Sequence, residues 1–149
     1  MQRKKPVFLT LSLLATAAWI FFILERSAQV AEQSSQESGQ IWNLLNSIIP
    51  GITVHQVRKL AHFTEYFVLG GLLWTDFHLL NKDYLTLSLC SGLFVGGSDE
   101  YFQTFIPGRS GQLKDVLIDF SGVAIAVLSL YMMWRLRAAA EKRRERELA

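Results

Sequence analysis

Cysteine is almost missing from this chain: Cys90 stands alone among 149 residues, so no intramolecular disulfide can form. Catalytic signatures are missing as well. There is no Asp-x-Asp pair, nucleophile elbow, phosphate-binding glycine loop or paired-histidine zinc motif, and no reaction class is legible from a motif. No inverted repeat and no pair of Gly/Pro-broken helices marks a transporter site. Fifteen Lys and Arg against thirteen Asp and Glu leave a net charge of +2, without the basic excess of a nucleic-acid binder, and no nucleic-acid partner is expected.

What is present is apolar and unevenly distributed. Half of the residues are hydrophobic and the mean hydropathy is only +0.23, a value that a soluble domain could share. Yet residues 6–24 form an uncharged run, and three further stretches, about 58–80, 84–106 and 114–136, have the length of a membrane span. Basic residues set the orientation. Arg3, Lys4 and Lys5 precede the first span, Lys82 joins the second to the third, and six more lie from Arg135 to Arg146. The sequence therefore predicts an all-α, polytopic membrane protein with four transmembrane helices, both termini inside, and an amphipathic helix on the outer surface.

Residues 1–27 read as an N-terminal transmembrane anchor. A cleaved signal peptide is the alternative, since Ser27, Ala28 and Ala31 follow the apolar run, but Glu25 and Arg26 close that run before any small-residue site. Residues 28–40 are polar and of low complexity, which predicts a flexible outer linker. Ile41, Leu44, Leu45, Ile48 and Ile49 then recur on one helical face, with Trp42 beside it, until Pro50 and Gly51. This predicts a helix over 41–50 that lies on the membrane surface or covers the bundle. Thr53 and Gln56 suit a capping box opening the core of residues 53–136, and 137–149 read as a basic cytoplasmic tail. Gly92 and Gly96 have the small-xxx-small spacing of closely packed helices, and Gly70, Gly71 and Gly122 extend that expectation within the monomer. Cys90 is expected to pack.

The informative residues interrupt those apolar spans. A charged side chain at the bilayer centre costs roughly 2.5 to 3.5 kcal/mol, so Lys59, His62, Glu65, Asp99, Glu100, Asp115 and Asp119 are expected to face one another or water. Lys59, His62 and Tyr66 share a helical stripe, as do Asp99 and Gln103, and Asp115 and Asp119. At about 1.5 Å per residue, His62 and Glu65 fall roughly 6 to 10 Å below Arg58, Asp99 roughly 10 Å before Ile106 and Asp119 roughly 10 Å after Gln112. Pro107 and Gly108 form a tight turn that holds Arg109 over the mouth of the resulting cavity, where it can pair with Asp99, Glu100 or Asp115 or hold an anionic ligand. Asp76, His78, Asp83 and His55 read as solvated and outside any shared site.

Taken together, Lys59-x-x-His62-Phe63-x-Glu65-Tyr66, Ser98-Asp99-Glu100-x-x-Gln103-x-Phe105-x-Pro107-Gly108-Arg109 and Asp115-Val116-x-x-Asp119-x-x-Gly122 resemble the bacterial VanZ-like family over about residues 55–130. One departure stands at Asp119, where the family often carries asparagine. The resemblance implies a small multi-pass protein of the bacterial cytoplasmic membrane with a role at the cell envelope. Its named member is associated with reduced susceptibility to teicoplanin, and no enzymatic activity is attached to the family.

Three mechanistic classes follow. A charged pocket at the outer leaflet could bind membrane lipids, a lipid-linked envelope precursor or a lipophilic glycopeptide, with Lys59 and Arg109 on the head group and Trp42 over the acyl part. An enzyme acting on an envelope lipid could use His62 or Glu65 as base, with Asp99, Glu100, Asp115 and Asp119 around a hard divalent cation. A transporter or proton relay would need a homo-oligomer, four helices being few for alternating access. A buried ion-pair network fixing helix register is the plainest alternative. No cofactor or metal is assigned by motif.

Overall fold

Five α-helices and no strand make up the described residues, 4–148, of the computed structural model. Arg3 of the N-terminal basic cluster and the last tail residue lie outside them. The helices are α1 (Lys4–Ser27), α2 (Ala31–Leu45), α3 (Val54–Leu79), α4 (Tyr84–Gln103) and α5 (Leu113–Glu147). Their starts are chemically marked. At α3 the Thr53 hydroxyl accepts from the Gln56 N–H at 3.2 Å while the Gln56 side chain accepts from the Thr53 N–H at 2.8 Å, the reciprocal box its sequence predicts. At α4 the Asp83 carboxylate accepts from the Thr86 N–H at 3.1 Å.

Three expected boundaries are corrected here. Residues 28–40 are not a separate flexible linker, and the helix does not run over 41–50. One helix, α2, covers Ala31–Leu45 and ends before Pro50. Composition gave no reason for residues 31–40 to order, but tertiary contacts supply one. Ser34 and Ser38 are buried, Arg58 donates to the Ser35 hydroxyl at 2.8 Å, and Arg26 pairs with Glu37. The 137–149 tail is likewise no separate element through residue 147, since α5 runs on without a break to Glu147.

Packing is closest where side chains are absent. A Cβ on Gly70 would stand 2.8 Å from the Val123 carbonyl oxygen, and one on Gly122 would meet the Phe63 carbonyl and, at 2.9 Å, the Phe67 nitrogen. These two glycines let the backbones of α3 and α5 touch. Gly92 and Gly96 face Val123 and Asp119 of α5, so the small-residue spacing serves the monomer. Around these contacts Ile23, Tyr66, Leu69, Leu73, Val123 and Val127 form the apolar core.

Burial is otherwise reversed from that of a water-soluble protein. Val7, Phe8, Leu14, Phe21, Phe94 and Leu117 are 59% to 75% exposed, whereas Asp99 and Asp119 are fully buried. Apolar exteriors of this extent suit lipid better than water. Two helices, Pro6–Ser27 and the one over Leu113–Glu147, are long and apolar enough to cross a membrane. In α3 and α4 the polar residues dilute that character. Cys90 is exposed on α4 and does not pack, contrary to expectation.

Candidate functional site

The end of the bundle that holds the α4–α5 turn gathers most of the residues singled out above. Ile106 to Arg109 forms that turn, with the Arg109 N–H donating to the Ile106 carbonyl at 3.0 Å and Gly108 at a φ of +77°. Proline at the first central position and glycine at the second suit this geometry. Gly111 lies so close to the Glu100 backbone that a Cβ would overlap its carbonyl oxygen. That approach brings the Gln112 N–H to the Glu100 carboxylate at 3.0 Å.

Below the turn, His62, Asp99, Glu100 and Asp119 converge from α3, α4 and α5, each offering one ligand atom within 4.8 Å of the others. Asp99 accepts at Oδ2 from the Ser27 hydroxyl at 2.8 Å and from the Gln103 amide at 3.2 Å. The same amide donates to Glu100 at 3.1 Å. His62 Nδ1 lies 3.6 Å from Asp119 Oδ1, too far for a hydrogen bond. The Tyr66 hydroxyl, buried beside this group, has no partner.

The remaining predicted residues stand apart from the carboxylates. Lys59 is bound to Asp115 in an ion pair. Glu65 lines a narrow gap with Arg26 and His62 and the edge of an apolar groove. Arg109 does not pair with Asp99, Glu100 or Asp115, which corrects one expectation. It donates instead to the Gln103 side chain at 3.1 Å and to the Gln29 carbonyl at 3.0 Å. The arginine therefore clasps the α1–α2 link, a segment the sequence reading left free.

Arg58, Lys59, Arg109, His55 and His62 share the wall of a polar cavity of about 180 Å³. Neither Arg58 nor Arg109 has an acidic partner among the described residues. Arg58 Nε is buried without a partner. Burial lowers the proton affinity of Arg109, and the nearby charge of Arg58 lowers it further. Asp115 lines the same cavity but is taken up by Lys59, so Arg58 and Arg109 leave its wall with an excess of positive charge that attracts anions.

Sequence reasoning missed the part played by α1. Ser27 was legible only as a small residue after a span, yet its hydroxyl anchors Asp99. Asp76 is not solvated as expected. It is 3% exposed and accepts from the hydroxyls of Ser12 and Thr16, the latter at 2.6 Å. Ser12 and Thr16, one turn apart in the first apolar run, were the available signal. His78 is not solvated either, since it stacks on Trp74 with ring centroids 4.8 Å apart and meets Tyr84 and Trp134 edge-on. Asp83 and His55 are exposed, as expected.

A family model described as VanZ/LLP1 matches residues 12–135, which takes in most of α1, all of α2 to α4 and more than half of α5. No curated protein and no solved structure matches the chain.

Proposed function

The chain belongs to the VanZ/LLP1 family, and from that premise we propose that it is a four-span protein of the bacterial cytoplasmic membrane that binds the anionic head group of an envelope lipid between Arg58 and Arg109. Both termini and the Lys82 turn lie inside in this reading, following the basic residues. The α4–α5 turn and its cavity then face the outer leaflet.

The observation that carries the proposal is that Arg58 and Arg109, neither with an acidic partner among the described residues, line one cavity of about 180 Å³ whose carboxylate, Asp115, is engaged by Lys59. A phosphate accepts bidentate hydrogen bonds from guanidinium and would relieve the repulsion between the two. An apolar groove of about 340 Å³ offers room for acyl chain, and Trp19, Phe22, Ile41, Leu45 and Leu60 are among its lining residues. Arg58, His62 and Arg109 border both the polar cavity and a smaller gap, while Ala61 and Glu65 border that gap and the groove. Head-group and acyl sites are thus neighbours. Ile41, Leu44, Ile48 and Ile49 add an exposed apolar edge that suits the membrane surface.

A lipid-linked envelope precursor and a lipidated glycopeptide present the same union of polar head and acyl chain, so a role in glycopeptide susceptibility belongs to this reading. Lys59, engaged by Asp115, contributes less to the head group than the sequence alone suggested. Of the two candidate bases of the catalytic reading, His62 stands with the carboxylates and Glu65 outside them.

The test is native mass spectrometry of protein purified in mild detergent and offered phosphatidylglycerol or phosphatidylcholine. Retention of phosphatidylglycerol should fall about tenfold in Arg58→Gln, roughly 1.4 kcal/mol, and phosphatidylcholine should not be retained. Equal retention by wild type and an Arg58→Gln/Arg109→Gln variant of unchanged helicity refutes the proposal.

A further inference from the structure

We propose that His62, Asp99, Glu100 and Asp119 form a binding site for one divalent first-row transition-metal ion of the Mn²⁺, Fe²⁺ or Zn²⁺ class. This site shares His62 with the wall of the Arg58–Arg109 cavity but does not rest on lipid binding there.

Geometry makes the first argument. The four residues present ligand atoms that lie within 4.8 Å of one another. Donors held 2.0 to 2.2 Å from a common ion stand about 3.3 to 3.6 Å apart in a tetrahedral arrangement and about 4.4 Å when opposed, so the set closes on an ion with side-chain shifts of up to about an ångström.

The second argument is independent of the clustering and concerns the atoms left without partners. Asp119 is fully buried, yet neither of its carboxylate oxygens accepts a hydrogen bond. Asp99 Oδ1 and His62 Nδ1 are orphaned in the same way. Buried polar atoms are nearly always satisfied, and here four orphans belong to three of the four residues that converge. A cation would satisfy them together.

The other oxygens of the cluster are already engaged. Ser27 and Gln103 hold Asp99 Oδ2, while Gln103 and the Gln112 N–H hold Glu100. Outer contacts of this kind orient metal ligands and leave the inner lone pairs free.

Charge makes the third argument. Three carboxylates meet in a buried position, and among the described residues no lysine or arginine closes on them. Lys59 pairs with Asp115, and Arg109 donates to Gln103 and to backbone carbonyls. A dication offsets most of that charge, and Arg109, one residue removed through Gln103, is placed to offset the rest.

The donor set indicates the ion. One imidazole nitrogen with three carboxylates is too nitrogen-poor and sulfur-free for copper(I), and the imidazole favours a first-row ion over Mg²⁺ or Ca²⁺. His62 also borders the polar cavity, so one of the four ligands is not sealed in the core.

The experiment equilibrates the full-length protein in detergent with MnCl₂, removes free ion by gel filtration, and measures manganese by elemental mass spectrometry and electron paramagnetic resonance. The expected result is about one ion per chain, displaced by Zn²⁺. Asp119→Asn, which keeps the side-chain shape, should lose affinity by about tenfold or more, as should His62→Gln. Asp76→Asn alters the other buried carboxylate and should retain the ion. Wild type holding under about a tenth of an ion per chain overturns the proposal, because the carboxylates are then held by shared protons. Asp119→Asn binding as well as wild type also overturns it. Should that variant fail to fold, Glu100→Gln and the wild-type stoichiometry decide.

Discussion

Replacing Gly122 by alanine tests the contact on which the site is built. The added Cβ would overlap the Phe63 carbonyl and stand 2.9 Å from the Phe67 nitrogen and 3.3 Å from the Tyr66 carbonyl carbon. All three obstacles are backbone, so no side chain can swing aside and α3 must part from α5. Overpacking of this kind costs about 1 to 3 kcal/mol, and the rigid obstacles argue for the upper end. Alanine recovers about 1 kcal/mol through helix propensity, which leaves a net loss of about 2 kcal/mol. Gly97, one helix away, is the control, because a Cβ there meets nothing within 4 Å. Gly97→Ala should gain up to about 1 kcal/mol, so the two variants should differ by about 3 kcal/mol, or roughly 6 to 12 °C in melting temperature for a chain of this size. Thermal unfolding of both variants in the same detergent, followed by circular dichroism, makes the comparison. Gly122 lies one turn from Asp119, and Phe63 adjoins His62, so the same substitution should reduce manganese binding. Equal melting temperatures for the two alanine variants would refute the close-approach argument.

Two further outcomes follow from groups away from the cavity. Asp76→Ala leaves the Ser12 hydroxyl without its acceptor and the Thr16 hydroxyl with the Ser12 carbonyl alone, and should cost about 1 to 3 kcal/mol, read as a lower unfolding midpoint, with Asp76→Asn milder. Asp83, held below the ordinary carboxylate range by the Thr86 N–H, should stabilise the start of α4 above its unfolded pKa and cease to do so as pH falls from about 4. The stability advantage of wild type over Asp83→Ala at pH 7 should therefore shrink by pH 3. A constant difference across that interval would contradict the capping role.

Much of the candidate site was legible because its chemistry is expensive where it stands. Carboxylates in apolar runs have to meet something, and His62, Asp99 and Asp119 do come together, with ligand atoms within 4.8 Å of one another. The turn before Arg109 was equally readable, since Pro107 and Gly108 narrow the available backbone. What Arg109 would touch was not. Its partners are the Gln29 carbonyl and the Gln103 amide oxygen, and a carbonyl leaves no trace in a sequence. Residues 31–40 misled for a related reason. Their composition is that of a solvated segment, and only the contacts of Ser34, Ser35, Glu37 and Ser38 with neighbouring helices order them. Asp76 was misjudged by position alone: nearness to a turn suggested water, while the two hydroxyls of α1 were waiting in the first apolar run.

The unbroken course of α5 has a practical side. Thirty-five residues at about 1.5 Å each make a rod of roughly 53 Å, against about 30 Å of hydrocarbon to be crossed. In the four-span arrangement proposed above, some 20 Å of rigid helix then extends beyond the hydrocarbon core. At 16.9 kDa the protein offers an electron microscope very little to align on. A larger helical scaffold spliced in register beyond Glu147 would extend the same helix without a hinge, turning the charged end of α5 into a handle through which the buried carboxylates at its other end can be imaged.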